Sequence, residues 1–574
     1  MKVRPLSSIS PGMLRIEPQY ALFVVLLVTL GSFILYPVLI VFTNSFHGNA
    51  VVVSDATWSF DAWRTAFAEP GMRAAAWNTV KVLFCTELIA MPIAVLIAWL
   101  LARTDIPGNS LLEFMFWVSF FLPALSVTFG WIALLDPHAG VLNQLAKLLP
   151  FVETGPFNIY SFWGIIWAHV ATQAISVKVM LLTPSFRNLD SAFEEAARVS
   201  GANRWQMLIR IVIPVAFPAI LTVLVLSAIR VMQTFEIEMV LGTPFNFFVF
   251  GTMIFQLVDQ SPPQFGSAAA LASIVFMIVT PLIVIHRWLV TRKDYASITG
   301  RIRIKPTQLG RWRISLFVLV CLLVVVITVL PVSFVVIASL MKLFGFFSIP
   351  DPWTFVHWTR VLTDDFFIHA LNTTLRVAFG VTLTSIVLCT LVAYFSVRSR
   401  YRGRGILDFL SWLPFAIPGI LLGIGFLYLV LGNPVLRFAY GTTPLLILAM
   451  VIAHMTLGTQ IVKSAMLQLG NQLEEAGRVN GASWGTCLRK IVVPILAPTL
   501  ALVGVANFIA STRDIATIAL LAANDSKTLS LLQLDYLTDG QLETGAVLSV
   551  ILIALSTGVA IVARLLGLKM GVRD

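Results

Sequence analysis

Few ionisable side chains sit among the apolar stretches of this chain, and those few are where chemistry could reside. His169 and His454 are equivalent under an offset of 285, as are Lys178 and Lys463. Arg230, Glu236 and Glu238 cluster where one apolar stretch ends; Arg513 and Asp514 occupy the corresponding place later in the chain. Carboxylates such as Glu236, Glu238 and Asp514 offer hard oxygen to a hard cation, and paired imidazoles suit a transition metal. The plainer alternatives are salt bridges and packed, hydrogen-bonded histidines. An ionised group inside a membrane is costly, so Arg230, Glu236, Glu238, Arg513, Asp514, His169 and His454 are the candidates to line a polar path. Lys178 and Lys463 lie near helix ends, where a long side chain snorkels to the headgroups. Covalent chemistry has no visible basis. There is no HExxH, no set of paired metal carboxylates, and no G-x-x-x-x-G-K-[ST] loop for a nucleotide. Cys85, Cys321, Cys389 and Cys487 show no metal or disulfide spacing. No cofactor and no metal site is expected.

These residues are held by a strongly apolar frame. The chain has 574 residues, 58% hydrophobic and 12% charged, with mean hydropathy +0.90. A soluble domain carries about 25% charged residues. Twelve stretches are long enough to cross a bilayer as helices. They run near 20–43, 78–102, 111–135, 159–182, 214–234 and 268–290, then 314–339, 371–397, 406–430, 444–468, 495–516 and 544–568. The first exceeds the roughly 7–15-residue core of a cleaved signal and is read as a span. Pro123 and Pro418 should kink their helices. The fold class is an all-α polytopic membrane protein.

Twelve is six plus six, because the chain repeats itself. Glu194 to Pro214 reads EEAARVSGANRWQMLIRIVIP, and Glu474 to Pro494 reads EEAGRVNGASWGTCLRKIVVP. Glu194, Glu195, Ala196, Arg198, Val199, Gly201, Ala202, Ile211, Val212 and Pro214 recur at an offset of 280. Asn78-Thr79 is matched with Asn372-Thr373, while Arg103, Pro123 and Gly130 recur as Arg398, Pro418 and Gly425. An internal duplication follows. An even number of spans per half makes the repeats parallel. The division expected is 1–290 for the first repeat, with its segment 189–214, then a basic linker 291–313, then 314–574 with segment 471–494.

Most of the 39 Lys and Arg fall in one set of loops and termini, which the positive-inside rule places in the cytoplasm with both chain ends. That set includes both repeated segments. The net charge of +11 is thereby a consequence of topology, and no nucleic-acid partner is expected. The linker, near Arg287 to Arg313, reads as a hinge between two ancestral chains.

Each repeated segment reads as helix, turn, helix across the membrane face. Glu194, Glu195, Glu474 and Glu475 sit early, where carboxylates favour the positive end of the helix dipole. Gly201 and Gly481 suit a helix C-cap. Pro214 and Pro494 suit the first turn of the next helix. One such helix would be an ordinary amphipathic loop; two in equivalent places imply a symmetric pair of partners.

The pattern Glu195-Ala196-Ala197, Gly201, Ile211, Pro214, with Glu475-Ala476-Gly477, Gly481, Ile491, Pro494 in the second half, resembles the EAA loop of type I permeases of bacterial ABC importers. It departs at Gly477, where Ala is usual, which loosens the helix by roughly 0.5–1 kcal/mol. The resemblance covers both halves. It implies that these segments are coupling helices seated on two ATP-binding cassette ATPase subunits in the cytoplasm. It implies a separate periplasmic or extracellular solute-binding protein, a bacterial inner-membrane location and alternating access. The chain would then be a transport subunit with no enzymatic activity. The six-plus-six fusion, with AWLLARTDIPG at Ala98 to Gly108, resembles iron(III) importer permeases; thiamine, polyamine, sulfate and 2-aminoethylphosphonate permeases are the alternatives. A secondary transporter also has twelve spans but would lack the ATPase-docking segments.

Overall fold

The computed structural model describes residues 18–47, 58–190, 195, 197, 199–292, 306–346 and 349–565. Among the described residues it is helical, with two isolated bridges, Thr104 with Thr307 and Met341 with Trp353. In the first half the spans are Pro18–Asn44, Met72–Arg103, a bent pair Asn109–Phe121 and Ala124–Leu135, Phe162–Arg187, Trp205–Gln233 and Phe265–Arg292. In the second they are Trp312–Ser339, Asp365–Arg398, the bent pair Arg404–Ala416 and Gly419–Gly432, Thr443–Gln468, Trp484–Arg513 and Leu542–Leu565.

Contacts between loops assign each end to a face. The Arg103 guanidinium donates to Leu189 O at 2.9 Å, so the second and fourth spans end on one face. The bent third span between them must then cross. Thr307 N donates to Arg103 O at 2.8 Å, and Leu309 N to the Asp105 carboxylate at 2.7 Å, so 306–313 lies on the same face, held against the loop after the second span. In the second half Arg398 donates to Leu469 O at 2.7 Å, which repeats the arrangement. The opposite face gathers Gln144 with Gly345 at 2.5 Å and Phe344 with Glu543 at 2.8 Å. Both halves therefore start and finish on the same face, as parallel repeats require.

This count leaves one further bent pair, Glu236–Phe245 and Phe250–Asp259, broken by 81°. The fifth span ends and the sixth begins on the face opposite Arg103, so this pair enters and returns as a hairpin. Its second arm is capped by the second span: Phe250 N donates to Thr79 Oγ1 at 3.0 Å. In the second half Leu529 N donates to Thr374 Oγ1 at 2.8 Å, at the start of helix Leu529–Thr538. The counterpart of Thr79 is thus Thr374, one residue beyond the match made from sequence, and it shares the offset of 295 with Arg103 and Arg398.

The third span of each half is broken, not kinked. The axes turn by 96° at Pro123 and by 108° at Pro418. Both prolines adopt extended backbone, ψ 129° and 140°, and cap the second piece. That second piece packs on the first span of the other half. A Cβ on Gly130 would lie 2.7 Å from the carbonyl carbon of Pro331, and one on Gly425 would lie 2.7 Å from Pro37 O. Only a missing side chain lets the backbones approach so closely. The halves thus clasp each other crosswise, each first span lying on its neighbour's broken span.

Candidate functional site

The second repeated segment is described in full. Helix Gln472–Val479 ends in a left-handed glycine, Gly481 with φ +80°. Ala482 N donates to Gly477 O at 3.0 Å and Gly481 N to Arg478 O at 2.9 Å. These are the two bonds of a Schellman cap, which satisfies carbonyls that a helix end leaves free. The helix is stapled to the spans by one carboxylate. Glu474 is buried; it meets Arg398 Nε at 3.1 Å and accepts from the Tyr394 hydroxyl at 2.9 Å. Arg398 also donates to Asn471, to Leu469 O and to Met466 O, gathering the approach to the helix around one guanidinium. Glu475, Ala476 and Val479 face outward, and Val479 is 87% exposed.

The first segment shows the same parts where it is described; Glu194, Ala196 and Arg198 lie outside the described residues. Gly201 has φ +79°, and Ala202 N donates to Ala197 O at 3.0 Å. Ala197 is buried, Glu195 half-buried, and Val199 is 90% exposed. Arg103 is 1% exposed and holds Leu189, as Arg398 holds Leu469. A Cβ at Gly201 or Gly481 would meet nothing within 4 Å. Among the described residues, each half therefore presents an exposed valine two residues before a left-handed glycine, on the same face of the molecule.

Two expectations are refined here. Pro214 and Pro494 stand in the first turn of the α-helices Ile213–Gln233 and Val493–Arg513, as expected, but the helical backbone does not start there. Continuous helices run over Trp205–Gln233 and Trp484–Arg513, and a π-type turn precedes each proline, at Leu208–Val212 and Leu488–Val492. The widened turn absorbs the backbone bond that proline cannot make. Gly477 departs from Ala for a packing reason: a Cβ there would stand 2.9 Å from Ile491 Cδ1 and 3.0 Å from Cys487 Sγ. Residues 481–485, Gly-Ala-Ser-Trp-Gly, also match the G-x-S-x-G pattern of nucleophile elbows, a match passed over in the sequence. It follows a helix, not a strand. Ser483 Oγ accepts from Thr486 N at 3.3 Å as a helix cap.

The charged candidates divide into committed and uncommitted groups. His169 Nε2 meets Glu238 Oε1 at 2.7 Å, and the Thr234 hydroxyl donates to the same oxygen at 3.3 Å. His454 Nε2 meets Asp514 Oδ2 at 2.9 Å, and Thr517 donates to Asp514 through its backbone and its hydroxyl, each at 2.9 Å. Thr234 and Asp514 are equivalent at offset 280, so the carboxylate has changed places between halves while the His-carboxylate-Thr set persists. Both sets fasten the segment that follows the fifth span to the fourth span of its half.

The broken third spans supply the contact between halves. Their ends leave carbonyls free. Arg513 donates to Phe120 O at 2.7 Å and to Leu122 O at 3.2 Å. Gln233, its counterpart at offset 280, donates to Phe415 O at 3.2 Å, and Phe415 is the counterpart of Phe120 at offset 295. The guanidinium of Arg513 lies 5.2 Å from the Phe120 ring centre, and that of Arg230 lies 5.7 Å from the Phe415 ring centre. Arg230 and Glu236 remain: among the described residues neither side chain has a hydrogen bond or an ion pair, and both retain exposure.

The lysines do not snorkel. Lys178 is 1% exposed and meets Glu87 at 3.0 Å, and Ser227 donates to the other Glu87 oxygen at 3.0 Å. Lys463 pairs with Asp408. Arg187 likewise pairs with Glu113. Sequence reasoning missed Glu87, Glu113, Asp408 and Tyr394, and it took Arg103 and Arg398 only as markers of the repeat. The signal available was the recurrence of the two arginines as the last residue of the second span in each half.

The comparisons agree with this architecture. A model of the family described as "Binding-protein-dependent transport system inner membrane component" matches residues 90–295 and again 385–572. The chain is 28% identical over 465 residues to the probable ABC transporter permease protein y4fN of Sinorhizobium fredii, covering 78% of this chain and 79% of the relative. It is 24% identical over 418 residues to the ferric transport system permease protein FbpB of Actinobacillus pleuropneumoniae, covering 69% of this chain and 58% of that one. It is 23% identical over 473 residues to the Fe(3+)-transport system permease protein FbpB 2 of Haemophilus influenzae, covering 82% and 86%. With two family matches in one chain, each holding a capped and pinned outward helix on the same face, this protein belongs to the binding-protein-dependent transport system inner membrane components and is a fused permease of the type I ABC-importer kind.

Proposed function

We propose that this chain is the membrane channel of an ATP-driven importer for iron(III). The observation that carries the importer mechanism is the pair of outward helices at offset 280, each closed by a left-handed glycine and tipped by a bare valine. The recurrence of the exposed valine at two equivalent points supports a symmetric pair of partners. The occupant is an ATP-binding cassette ATPase subunit at each helix. Glu195, Gly201, Glu475, Ala476 and Gly481 belong to the contact, with Glu194 and Ala196 adjacent in sequence, while buried Ala197 supports the first helix from beneath. Buried Glu474 and Gly477 hold the second helix in place, and Pro214 and Pro494 mark where each segment joins its span. The basic loops assign this face, and both chain ends, to the cytoplasm of a bacterium. A soluble binding protein delivers solute to the opposite face. The repeats extend over 1–290 and 314–574, joined through 291–313.

Iron(III) is supported by the names of two relatives matched above, both ferric transport permeases. The candidate path runs between the broken third spans, past Arg230, Glu236, Arg513 and Asp514; His169, His454 and Glu238 shape it from behind. Closure of the ATPase subunits would move the pinned helices and with them the fifth span of each half, since helix and span join through one turn. The test is reconstitution of the chain with its ATPase and binding protein in proteoliposomes. Uptake of radio-iron that requires both ATP and binding protein is expected. Uptake that persists without ATP would overturn the ATP-driven reading.

A further inference from the structure

We propose that Asp105 is a positioning residue for coupling: it latches the end of the linker onto the loop that holds the first repeated segment, so that this segment and the first span of the second half move together. The proposal rests on the ATPase-docking reading above and adds a part to it.

The loop runs from Arg103 to Asp105 and is extended at Thr104, with φ −122° and ψ 168°. On one side it holds the repeated segment, through the Arg103 guanidinium on Leu189 O. On the other it carries the linker's end. Thr307 pairs with Thr104 as neighbours do in a parallel sheet: Thr307 N donates to Arg103 O at 2.8 Å, and Asp105 N donates to Thr307 O at 3.2 Å. Asp105 then extends this two-bond bridge. Its carboxylate accepts from Leu309 N at 2.7 Å. Its carbonyl accepts from Arg313 Nε at 2.8 Å, and the carboxylate lies 3.6 Å from the same nitrogen. Thr104, Thr307 and Leu309 are buried, so water competes poorly for these bonds.

Arg313 stands in the first turn of Trp312–Val324, where the first span of the second half begins. A push on the segment at Leu189 therefore reaches that span through Arg103, Asp105 and Arg313, without passing along the chain. Further along, Pro331 of the same span lies against Gly130 of the first half. With Asp105 the span is fastened to the first half at two separate levels. The latch also belongs to the join between halves. At offset 295 Asp105 is replaced by Arg400 and Arg313 by Pro18, so this ion pair has no equivalent in the second half. A tether that serves only to connect two halves needs reach and no docking point along its length.

The test uses the full chain assembled with its ATPase and binding protein in proteoliposomes, and follows ATP-driven uptake of radio-iron. Thr104→Cys with Thr307→Cys places two sulfurs across the bridge, where backbones about 4.8 Å apart suit a disulfide. The oxidised pair should transport as the reduced pair does, because the latch stays closed through the cycle. Asp105→Ala should assemble in normal amounts but take up less iron per complex. Oxidising the cysteine pair in that background should restore uptake until reductant is added. Asp105→Asn, whose amide oxygen still accepts from Leu309 N, should lose less. Maleimide should label Thr307→Cys about tenfold faster when Asp105→Ala is also present, the weight of one charge-assisted hydrogen bond. The proposal is overturned by a disulfide that does not form, by a locked pair that stops uptake, or by an unchanged labelling rate. It is equally overturned if Asp105→Ala transports at the wild-type rate, fails to assemble, or is not repaired by the disulfide. Uptake by the unsubstituted chain that needs no ATP would instead overturn the docking reading. No uptake at all would overturn the iron reading, and the disulfide and labelling arms would still decide the latch.

Discussion

Removal of Arg398 should release the second coupling helix without unfolding the protein. Arg398 and Glu474 are 11% and 9% exposed at the side chain, and their oxygen and nitrogen stand 3.1 Å apart. Truncating one partner of a buried pair costs about 3–5 kcal/mol, because the other charge is left uncompensated. Arg398→Ala also orphans the carbonyls of Leu469 and Met466. Glu474→Gln is milder. The amide still accepts from the Tyr394 hydroxyl, and Arg398 keeps its carbonyl acceptors, so about 1–2 kcal/mol is lost. The strain is local, so the helix undocks while the spans stay folded. A native reporter lies beneath it. Cys487 is fully buried, its sulfur 4.0 Å from both Glu474 O and Ala482 O. Maleimide labelling at Cys487 reads the undocked population, and each 1.4 kcal/mol or so changes it tenfold. Arg398→Ala should label roughly a hundred- to several-thousandfold faster than wild type, and Glu474→Gln about tenfold faster. A wild-type rate in Arg398→Ala, or a faster rate in Glu474→Gln than in Arg398→Ala, would refute the staple.

Gly130→Ala and Gly425→Ala should each lower the thermal midpoint of the detergent-solubilised protein, losing about 1–3 kcal/mol to overpacking against the opposite half. Gly405→Ala, where a Cβ meets nothing, should not. Gly201→Val and Gly481→Val should abolish ATP-driven uptake with normal membrane insertion, while Gly481→Asn, which tolerates the left-handed turn, keeps much of it. Uptake assays on matched amounts of protein decide this, and equal loss in Val and Asn variants would contradict the backbone explanation. His454→Ala should destabilise by about 1–3 kcal/mol, since Asp514 loses its partner. Adding Asp514→Asn to it should cost less than the sum of the two single losses, as a double-mutant thermal series would show.

The spans, the duplication and the repeated segments were legible because each is a local or periodic property. Apolar length marks a span, and an offset of 280 marks a copy without any knowledge of packing. Gly201 and Gly481 were legible for the same reason, since a helix cap is written within a few residues. What escaped is what depends on a distant partner. Glu87 lies far from Lys178 in sequence, so Lys178 reads as a snorkelling end until the second and fourth spans are packed together. Pro123 and Pro418 signal an interruption, but the near right angle is set by the opposite half, where Arg513 and Gln233 take up the carbonyls that the break exposes. The hairpin at 236–259 is apolar enough to pass for loop or span, and contacts with distant residues, Thr79 with Phe250 and His169 with Glu238, give it a place. The partition of the charged cluster was invisible because Arg230 and Arg513 differ only in what surrounds them.

The central claim is that the two pinned helices seat two ATPase subunits. It is tested most directly by a photo-crosslinking amino acid placed in turn at Val199 and at Val479, in native membranes, with the adducts identified by mass spectrometry. A nucleotide-binding ATPase attached at both positions, in similar yield, is the predicted result. Adducts at neither position, or at one only, or only to lipid, would contradict the symmetric docking on which the importer mechanism depends.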